Sequence, residues 1–386
     1  MRIAYVTETF PPEINGVSLT VERTVRFLRE RGHSVDLIRP RQRGEAHLES
    51  ANEWRTGGMP IPMYPDLRLG FTRPARLKER FELYRPDIVH IATQGPLGYM
   101  AARAARSLGL PVTTDFRTNF HSYSRYYRLG WLEPLVCHYL RSFHNRADLT
   151  FVPTRALRDQ LRKKGFKRLE VVGRGVDTAL FTPAKRRHEL RRAWGAGDEQ
   201  SIVMLYVGRL AAEKNVELAL RAFTISRYLR PNTQMVVVGD GPQRQRLEAN
   251  YPLAHFVGVK HGEELAHHYA SADLFVFPSQ SETFGNVTLE AMASGLAVVA
   301  FDGAAVKEHV RNGQNGIIVG TDYEGDFIQT ACRTAAMADL LAPLCKNARD
   351  TAKSVKWETI SSRFEKHLTS VAASYGAKTS RHAVLA

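Results

Sequence analysis

The feature that most constrains the fold is a repeated alternation between short apolar runs and segments with a helical period. Apolar runs recur at residues 2–8, 35–38, 87–91, 111–114, 202–207, 235–238, 254–257, 274–277, 297–301 and 316–319. Runs of about four to eight apolar residues indicate buried strands, and the segments between them are typical of amphipathic helices. Alternating strands and helices build parallel sheets with right-handed crossovers. The sequence therefore predicts an α/β chain with two doubly wound domains facing a cleft.

The boundary between the two domains is expected just before the charged run Lys185 to His188. A chain of 386 residues is long enough for two or three domains. Residues 40–86 are rich in Arg, Pro and Gly and are expected to form loops and short elements. Near the end, Trp357 to Val371 has the period of an amphipathic helix, and the tail from Tyr375 is expected to be loose. The predicted parts are 1–182, 183–355 and 356–386.

The charge is concentrated in the first half of the chain. Residues 1–185 carry 31 Lys and Arg against 18 Asp and Glu, whereas the remainder carries 23 against 21. Such asymmetry indicates an acidic partner for the first half, either a membrane surface, a polyanionic substrate or nucleic acid, although a merely soluble basic surface is an alternative. No recognition motif for nucleic acid accompanies the charge, so a nucleic-acid-binding protein is the remote alternative and no nucleic-acid partner is expected.

The cysteines and the apolar segments indicate the cellular compartment in which the protein is expected. Cys137, Cys332 and Cys345 show no paired spacing, which argues against a zinc site and a disulfide framework and fits a reducing compartment. No run resembles a signal peptide or reaches the roughly 18 apolar residues of a membrane span. Residues 124–147 mix arginines with aromatic rings, as helices in a membrane interface do, although a buried helix with a solvated edge would show the same pattern. We therefore expect a cytoplasmic protein in peripheral contact with the anionic inner face of the cytoplasmic membrane.

The best candidate for chemistry is the strand, loop and helix start between residues 274 and 295. Glu282 lies in the loop and Glu290 within about two turns of the helix N-terminus. Between them, Gly285, Asn286 and Val287 begin the helix, where backbone N–H groups and the helix dipole favour an anion such as a diphosphate. The two carboxylates would repel that anion and are better suited to bind sugar hydroxyls. The alternative is that neither binds a ligand: Glu282 would then be an ordinary solvated loop residue and Glu290 an ordinary residue on a helix surface.

Two cations support the diphosphate interpretation. Arg209 lies at the end of the 202–207 strand, and Lys214 follows five residues later. Because the carboxyl ends of parallel strands share one edge of a sheet, both would lie near the Glu282 loop and stabilise a departing diphosphate. Each alone could be a surface cation. The pair Gly239 and Gly241 lacks the third glycine of a dinucleotide fingerprint, and no Asp-x-Asp pair or cluster of metal ligands occurs, so neither NAD nor a metal is predicted.

Three residues of the first half are further candidates. Gly16 precedes the first helical period, where the lack of a side chain would let backbone approach a ligand. Arg117 and His121 follow the 111–114 strand, at the edge where open α/β sheets place ligand contacts. They are the residues there most able to handle an anion or a proton, although a lone histidine is more often structural.

Taken in order, these motifs resemble the retaining glycosyltransferases of family 4, which have the GT-B fold of two Rossmann-like domains. The motifs that carry the resemblance are Asn15-Gly16, Gly173 to Asp177, Val207 to Leu210 with Lys214, Val238 to Pro242, Ala272-Asp273, Phe277 to Ser279, and Glu282 to Glu290 with Gly295. Within the family the first half looks closest to transferases that build glycolipids, such as sulfoquinovosyl, mannosyl and glucosyl lipid transferases.

The resemblance implies roles for most of the candidates. Arg209 and Lys214 would hold the phosphates, Glu290 the ribose and Glu282 the sugar, while Gly16 closes over the phosphates and the last helix crosses back to the first domain. A histidine of this family contacts the donor sugar, and Arg117 stands in its place here, with His121 nearby. The implied activity is a hexosyltransferase with a nucleotide diphosphate sugar as co-substrate, UDP-hexose before GDP-mannose, no cofactor, and a lipid acceptor. A polysaccharide or lipopolysaccharide acceptor, and an epimerase or hydrolase on the same fold, are the alternatives.

Overall fold

The computed structural model describes residues 1–13, 16–61, 64–117, 133–198, 200–321 and 323–384. These residues form two units, each with its own parallel sheet, so the predicted pair of doubly wound α/β domains is confirmed. The first unit contains residues 1–117, 133–173 and 358–384, and the second contains residues 174–357. The second unit therefore begins earlier than position 183. The reason is that Val176 forms a bridge with Lys356 and packs, with Phe181, in the core of the second unit.

The first unit is built on an eight-stranded sheet with the order β4-β3-β2-β1-β5-β6-β7-β8. Every neighbouring pair is parallel except β3 and β4, which form an antiparallel hairpin. The strands are β1 (Arg2–Val6), β2 (Ser34–Pro40), β3 (Glu53–Ile61), β4 (Tyr64–Phe71), β5 (Ile88–Ile91), β6 (Val112–Asp115), β7 (Leu149–Val152) and β8 (Leu169–Val171).

The segment 40–86 is more regular than its composition predicts. It contains β3 and β4 and a helix at Pro74–Tyr84. The side chain of Trp54 on β3 is buried and lies beneath the guanidinium of Arg80, 5.5 Å from its carbon. Glycine and proline are tolerated here because the hairpin lies at the edge of the sheet, where missing donors and side chains cost little.

The helices of the first unit cover both faces of its sheet. Val21, Val25 and Leu28 are buried on the first helix, as their spacing predicts. The last helix continues to Val384, although the tail from Tyr375 was expected to be loose; no proline interrupts it, and alanine and lysine favour helical backbone. Within the described residues, the helices of this unit are Gly16–Glu30, Pro74–Tyr84, Pro96–Ser107, Glu133–Asn145, Arg155–Lys163 and Trp357–Val384. No helix within the described ranges is both long and apolar enough to cross a bilayer.

The second unit has a six-stranded parallel sheet with the order β11-β10-β9-β12-β13-β14. Its strands are β9 (Ile202–Val207), β10 (Thr233–Val238), β11 (His255–Gly258), β12 (Leu274–Phe277), β13 (Ala297–Phe301) and β14 (Ile317–Val319). Its α-helices are His188–Ala193, Val216–Leu229, Arg244–Asn250, Gly262–Ala270, Asn286–Ala293, Ala304–His309, Glu324–Ala336 and Ala338–Ser354, and 3₁₀ turns lie at Pro183–Lys185 and Ala212–Lys214.

Two glycines let the backbones after β9 and β10 touch. Gly208 has φ of 156° and Gly239 φ of 136°, a region that side chains rarely allow. A Cβ atom on Gly239 would lie 2.0 Å from the carbonyl oxygen of Gly208. The chain segments that follow these strands are thereby fixed against each other at the carboxyl edge of the sheet.

We expect Gly239→Ala to lower the free energy of unfolding by about 2 kcal/mol or more, because both backbone strain and a steric clash oppose the added methyl group. Thermal unfolding measures the effect. Gly320→Ala is the matched control, since nothing lies within 4 Å of its Cβ position and its φ is not positive. Equal melting temperatures for the two variants would contradict the packing described here.

Candidate functional site

The loop after β12 carries Glu282, whose carboxylate is held by two groups from different parts of the second unit. The Lys214 ammonium lies 2.5 Å from Glu282 Oε1, and Ser279 Oγ donates to the same oxygen at 2.9 Å. Lys214 also reaches the carbonyl of Ser281 at 3.5 Å. The structure therefore brings together Lys214 and Glu282, which sequence analysis predicted to be neighbours. The part played by Ser279 could not be assigned from spacing.

The helix that follows begins where an anion site was predicted. Gly285 has left-handed backbone (φ 85°) and immediately precedes the helix Asn286–Ala293. Arg174 adds a cation: its guanidinium donates to Asn286 Oδ1 at 3.2 Å and lies 5.6 Å from the centre of the Phe284 ring. Helix N–H groups and a buried guanidinium thus converge on the start of this helix, next to Val287, a combination that favours an anion.

Glu290 lies in the second turn of the same helix and is oriented by a buried tyrosine. The hydroxyl of Tyr269 donates to Glu290 Oε2 at 3.1 Å and lies 3.4 Å from the carbonyl oxygen of Val287. Burial, and then the charge of Glu290, raise the pKa of the Tyr269 phenol well above its usual value, so it remains a donor. A fixed carboxylate in this position suits recognition of a hydroxyl pair.

Tyr269→Phe is expected to lower affinity for a nucleoside diphosphate about tenfold, because it removes one hydrogen bond that orients Glu290. Titration calorimetry with UDP and GDP measures this. Tyr251→Phe serves as the control, since burial and then the charge of Glu217, rather than of Glu290, raise the pKa of its phenol. Unchanged affinity in the Tyr269 variant would show that this contact does not orient a binding group.

Arg209 follows β9 and lies beside a buried acid. Its guanidinium is 3.7 Å from Glu213 Oε1, and the Glu213 side chain is 2% exposed whereas that of Arg209 is 40% exposed. Ser281 Oγ donates to the Glu213 carbonyl at 3.3 Å, which joins the Arg209 turn to the Glu282 loop. Burial and the nearby charges of Glu282 and Glu213 raise the pKa of Tyr206 well above its usual value. Arg209, Lys214 and the Glu282 loop therefore belong to one cluster at the carboxyl edge of the sheet.

The Gly239 to Gly241 turn packs against this cluster. Leu210 N donates to the Asp240 carbonyl at 2.9 Å, and a Cβ atom on Gly241 would lie 2.4 Å from the Leu210 carbonyl oxygen. These two glycines are required for close backbone contact with the Arg209 turn. Among the described residues, no group of three His, Cys, Asp or Glu side chains is arranged to hold a metal ion.

The candidates of the first unit are placed only in part. Gly16 is the first residue of an α-helix and is exposed, whereas His121 lies outside the described residues. Arg117 follows β6 and is paired with a buried carboxylate, 2.5 Å from Asp115 Oδ2. His90 Nε2 lies 3.2 Å from the same oxygen. Arg117 is thus part of a charged cluster inside the first unit, a partnership that sequence spacing did not reveal.

Two family models match the chain. A model described as Glycosyltransferase Family 4 matches residues 14–180, and a model described as Glycosyl transferases group 1 matches residues 201–336. Among curated proteins, the chain is 38% identical to a GDP-mannose-dependent alpha-mannosyltransferase of Mycolicibacterium smegmatis, over 83% of this chain and 85% of that protein.

Two other relatives are named for different sugars. The chain is 30% identical to the sulfoquinovosyl transferase SQD2 of Arabidopsis thaliana, over 82% of this chain and 62% of that protein. It is also 30% identical to an alpha-monoglucosyldiacylglycerol synthase of Streptococcus pneumoniae, over 78% of this chain and 71% of that protein.

Solved structures share the fold at low identity. Anabaena HepE in complex with UDP superposes with a TM-score of 0.75 at 18% identity, covering 96% of this chain and 100% of that one. A sucrose-phosphate synthase of Thermosynechococcus elongatus superposes with a TM-score of 0.76 at 19% identity, covering 97% of this chain and 100% of that one. With these relatives and this fold, the chain belongs to glycosyltransferase family 4 and has the GT-B fold.

Proposed function

We propose that this protein transfers a hexose from a nucleotide diphosphate sugar to a lipid acceptor, with retention of configuration. The observation that carries the proposal is the contact of Lys214 and Ser279 with Glu282, beside the N-terminus of the Asn286–Ala293 helix. That arrangement offers cations and N–H groups to a diphosphate and a carboxylate to sugar hydroxyls. UDP-hexoses and GDP-mannose are the two donor classes to be tested, the second supported by the name of the Mycolicibacterium relative.

The reaction is a front-face displacement. The bond between the anomeric carbon and the β-phosphate oxygen breaks, the acceptor oxygen bonds to the same carbon on the same face, and the hydroxyl proton passes to a phosphate oxygen. Lys214 and Arg209 stabilise the negative charge that develops on the departing diphosphate, and the helix N-terminus adds to this effect. Glu290, held by Tyr269, binds the ribose, and Glu282 binds the sugar. No covalent nucleophile and no metal ion is invoked.

A lipid acceptor is supported by the surface of the first unit. This half of the chain carries the excess of basic residues, and the side chains of Leu83, Leu135 and Tyr139 are exposed on its helices. Basic residues attract anionic headgroups, and apolar side chains enter the boundary with the acyl chains. The name of the Streptococcus relative, a monoglucosyldiacylglycerol synthase, points in the same direction. We therefore place the protein peripherally on the inner face of the cytoplasmic membrane.

A donor screen tests the proposal. Purified protein is mixed with radiolabelled UDP-glucose, UDP-galactose, UDP-glucuronic acid or GDP-mannose and with diacylglycerol in anionic or neutral vesicles, and the lipid is then extracted into organic solvent. Transfer of label to the lipid with one donor, faster on anionic vesicles, is the expected result. Release of nucleotide while all label stays in water would instead indicate a polysaccharide acceptor or hydrolysis. The anomeric configuration of the product, determined by NMR, tests retention.

A further inference from the structure

A second group of polar side chains lies at the carboxyl edge of the sheet in the first unit. Gln94 follows β5 and lies two residues before the helix Pro96–Ser107. Its side chain is 6% exposed, and its amide nitrogen Nε2 has no hydrogen-bond partner among the described residues. Leaving a buried amide unpaired costs about 1–3 kcal/mol of stability. Native proteins contain few such groups, and each one calls for an explanation.

The polar groups around Gln94 are already engaged with one another. Tyr139 donates its hydroxyl to the Gln94 carbonyl at 2.8 Å. Glu8 N donates to Thr93 Oγ1 at 2.8 Å, and Leu97 N donates to Glu8 Oε1 at 2.9 Å. These bonds hold the backbone on both sides of Gln94, and none of them involves its side-chain amide.

Glu8 and Tyr139 provide complementary chemistry close by. The Glu8 carboxylate is packed so tightly against Gly95 that a Cβ atom there would lie 1.7 Å from Oε2. Burial raises the pKa of Glu8 to about 7, so near neutral pH this carboxyl group exists in both protonated and ionised forms. Burial, and then the charge of Glu8, raise the pKa of Tyr139 to about 12. The Glu8 carboxyl group thus contacts Gly95, and the Tyr139 hydroxyl contacts the adjacent residue, Gln94.

Aromatic rings border this group. The centres of the Tyr99 and Tyr139 rings are 6.3 Å apart, and Tyr139 is 39% exposed, so its ring extends from the buried groups to solvent. An amide donor and a carboxyl group close to aromatic residues are typical of sites that recognise hydroxyls on a small apolar frame, such as glycerol or a sugar.

We propose that Gln94, Glu8 and Tyr139 form a hydroxyl-binding subsite that holds the polar part of the acceptor. The amide of Gln94 donates to one hydroxyl oxygen, Glu8 accepts from or donates to a second, and Tyr139 covers the apolar face. Identification of the bound molecule as the acceptor rests on the proposed function, whereas the binding of hydroxyls does not. Gln94 thus lowers the stability of the free protein and gains its hydrogen bond from the ligand.

The test compares Gln94→Met with Gln234→Met. Gln234 is 8% exposed, and its side-chain amide is bonded to Arg227 at 2.9 Å and to the Gly195 carbonyl at 3.3 Å. The probes are octyl α-glucoside and dihexanoylglycerol, each below its critical micelle concentration. Calorimetry measures their binding to wild type and to both variants, UDP and GDP binding is measured alongside, and melting temperatures are recorded.

We expect wild type to bind at least one probe and Gln94→Met to bind it about tenfold more weakly, the loss of one hydrogen bond, without a lower melting temperature. Gln234→Met should melt earlier and bind the probe as wild type does. Nucleotide binding should be unchanged in the Gln94 variant. The proposal is overturned if wild type binds neither probe, if Gln94→Met binds as well as wild type, or if that variant simply loses stability. Probe binding without hexose transfer to lipid would remove the proposed function and leave the subsite standing.

Discussion

Replacing Lys214 with alanine is expected to lower turnover about 100-fold or more. The ammonium lies 2.5 Å from Glu282 Oε1, beside the helix start where the diphosphate would bind. In the proposed mechanism, its charge matters most when the bond to the diphosphate breaks and negative charge develops. Removing it therefore raises the barrier more than it weakens binding of the donor. Steady-state kinetics with the donor identified in the screen measure turnover, and Arg209→Ala is expected to behave in the same way.

Lys307→Ala is the control for this prediction. Lys307 also pairs with an acid, Asp302 at 3.2 Å, but both side chains are exposed on the surface of the second unit. Its turnover should match that of wild type. If Lys214→Ala and Arg209→Ala both retain turnover within a few-fold of the parent, these residues do not stabilise the leaving group, and the proposed mechanism is wrong.

Asp115→Asn is expected to destabilise the protein by about 3–5 kcal/mol, because it leaves the Arg117 guanidinium, only 12% exposed, without its carboxylate. Burial alone would raise the pKa of Asp115, but Arg117 and His90 outweigh it and lower that pKa. A carboxyl group with a lowered pKa in the folded state adds stability above its unfolded pKa of about 4, and this stability is lost as the pH falls further. Urea unfolding at pH 7 and at pH 3 measures both effects.

Two companion variants separate the buried charge from other causes. Asp115→Asn combined with Arg117→Met removes both charges and should recover most of the lost stability. Asp159→Asn breaks an exposed pair with Arg158 and should change the free energy of unfolding by less than about 0.5 kcal/mol. A stable Asp115→Asn variant would mean that Arg117 is held by other groups. If the double variant folds but no longer transfers sugar, Arg117 or Asp115 has a role in activity beyond the ion pair.

The elements that the sequence predicted correctly are those with a local signal. Apolar runs such as Leu274 to Phe277 are buried strands because parallel strands covered on both faces need a continuous apolar run. Lys214 and Glu282 could be placed together because both follow strands, and the carboxyl ends of parallel strands share one edge. The order of the motifs along the chain then sufficed to indicate the family.

Contacts between residues that are distant in sequence and belong to no motif could not be predicted. The Asp115, Arg117 and His90 cluster depends on the adjacency of β5 and β6 and on side-chain packing. The β3–β4 hairpin was missed because its glycines and prolines resemble loop composition, whereas its position at the sheet edge makes them acceptable. The unpaired amide of Gln94 results from side-chain packing, which no sequence pattern encodes.

The last helix has a consequence for the order in which the molecule is made. Phe364 and Leu368 are buried in the core of the first unit, and the Phe364 ring lies 4.9 Å from that of His90 and 4.8 Å from that of Phe151. During synthesis on the ribosome, these side chains emerge only after the entire second unit has been translated. The first unit to leave the ribosome is therefore the last to complete its core. Until then, the apolar surface that Phe364 and Leu368 will cover is exposed to chaperones.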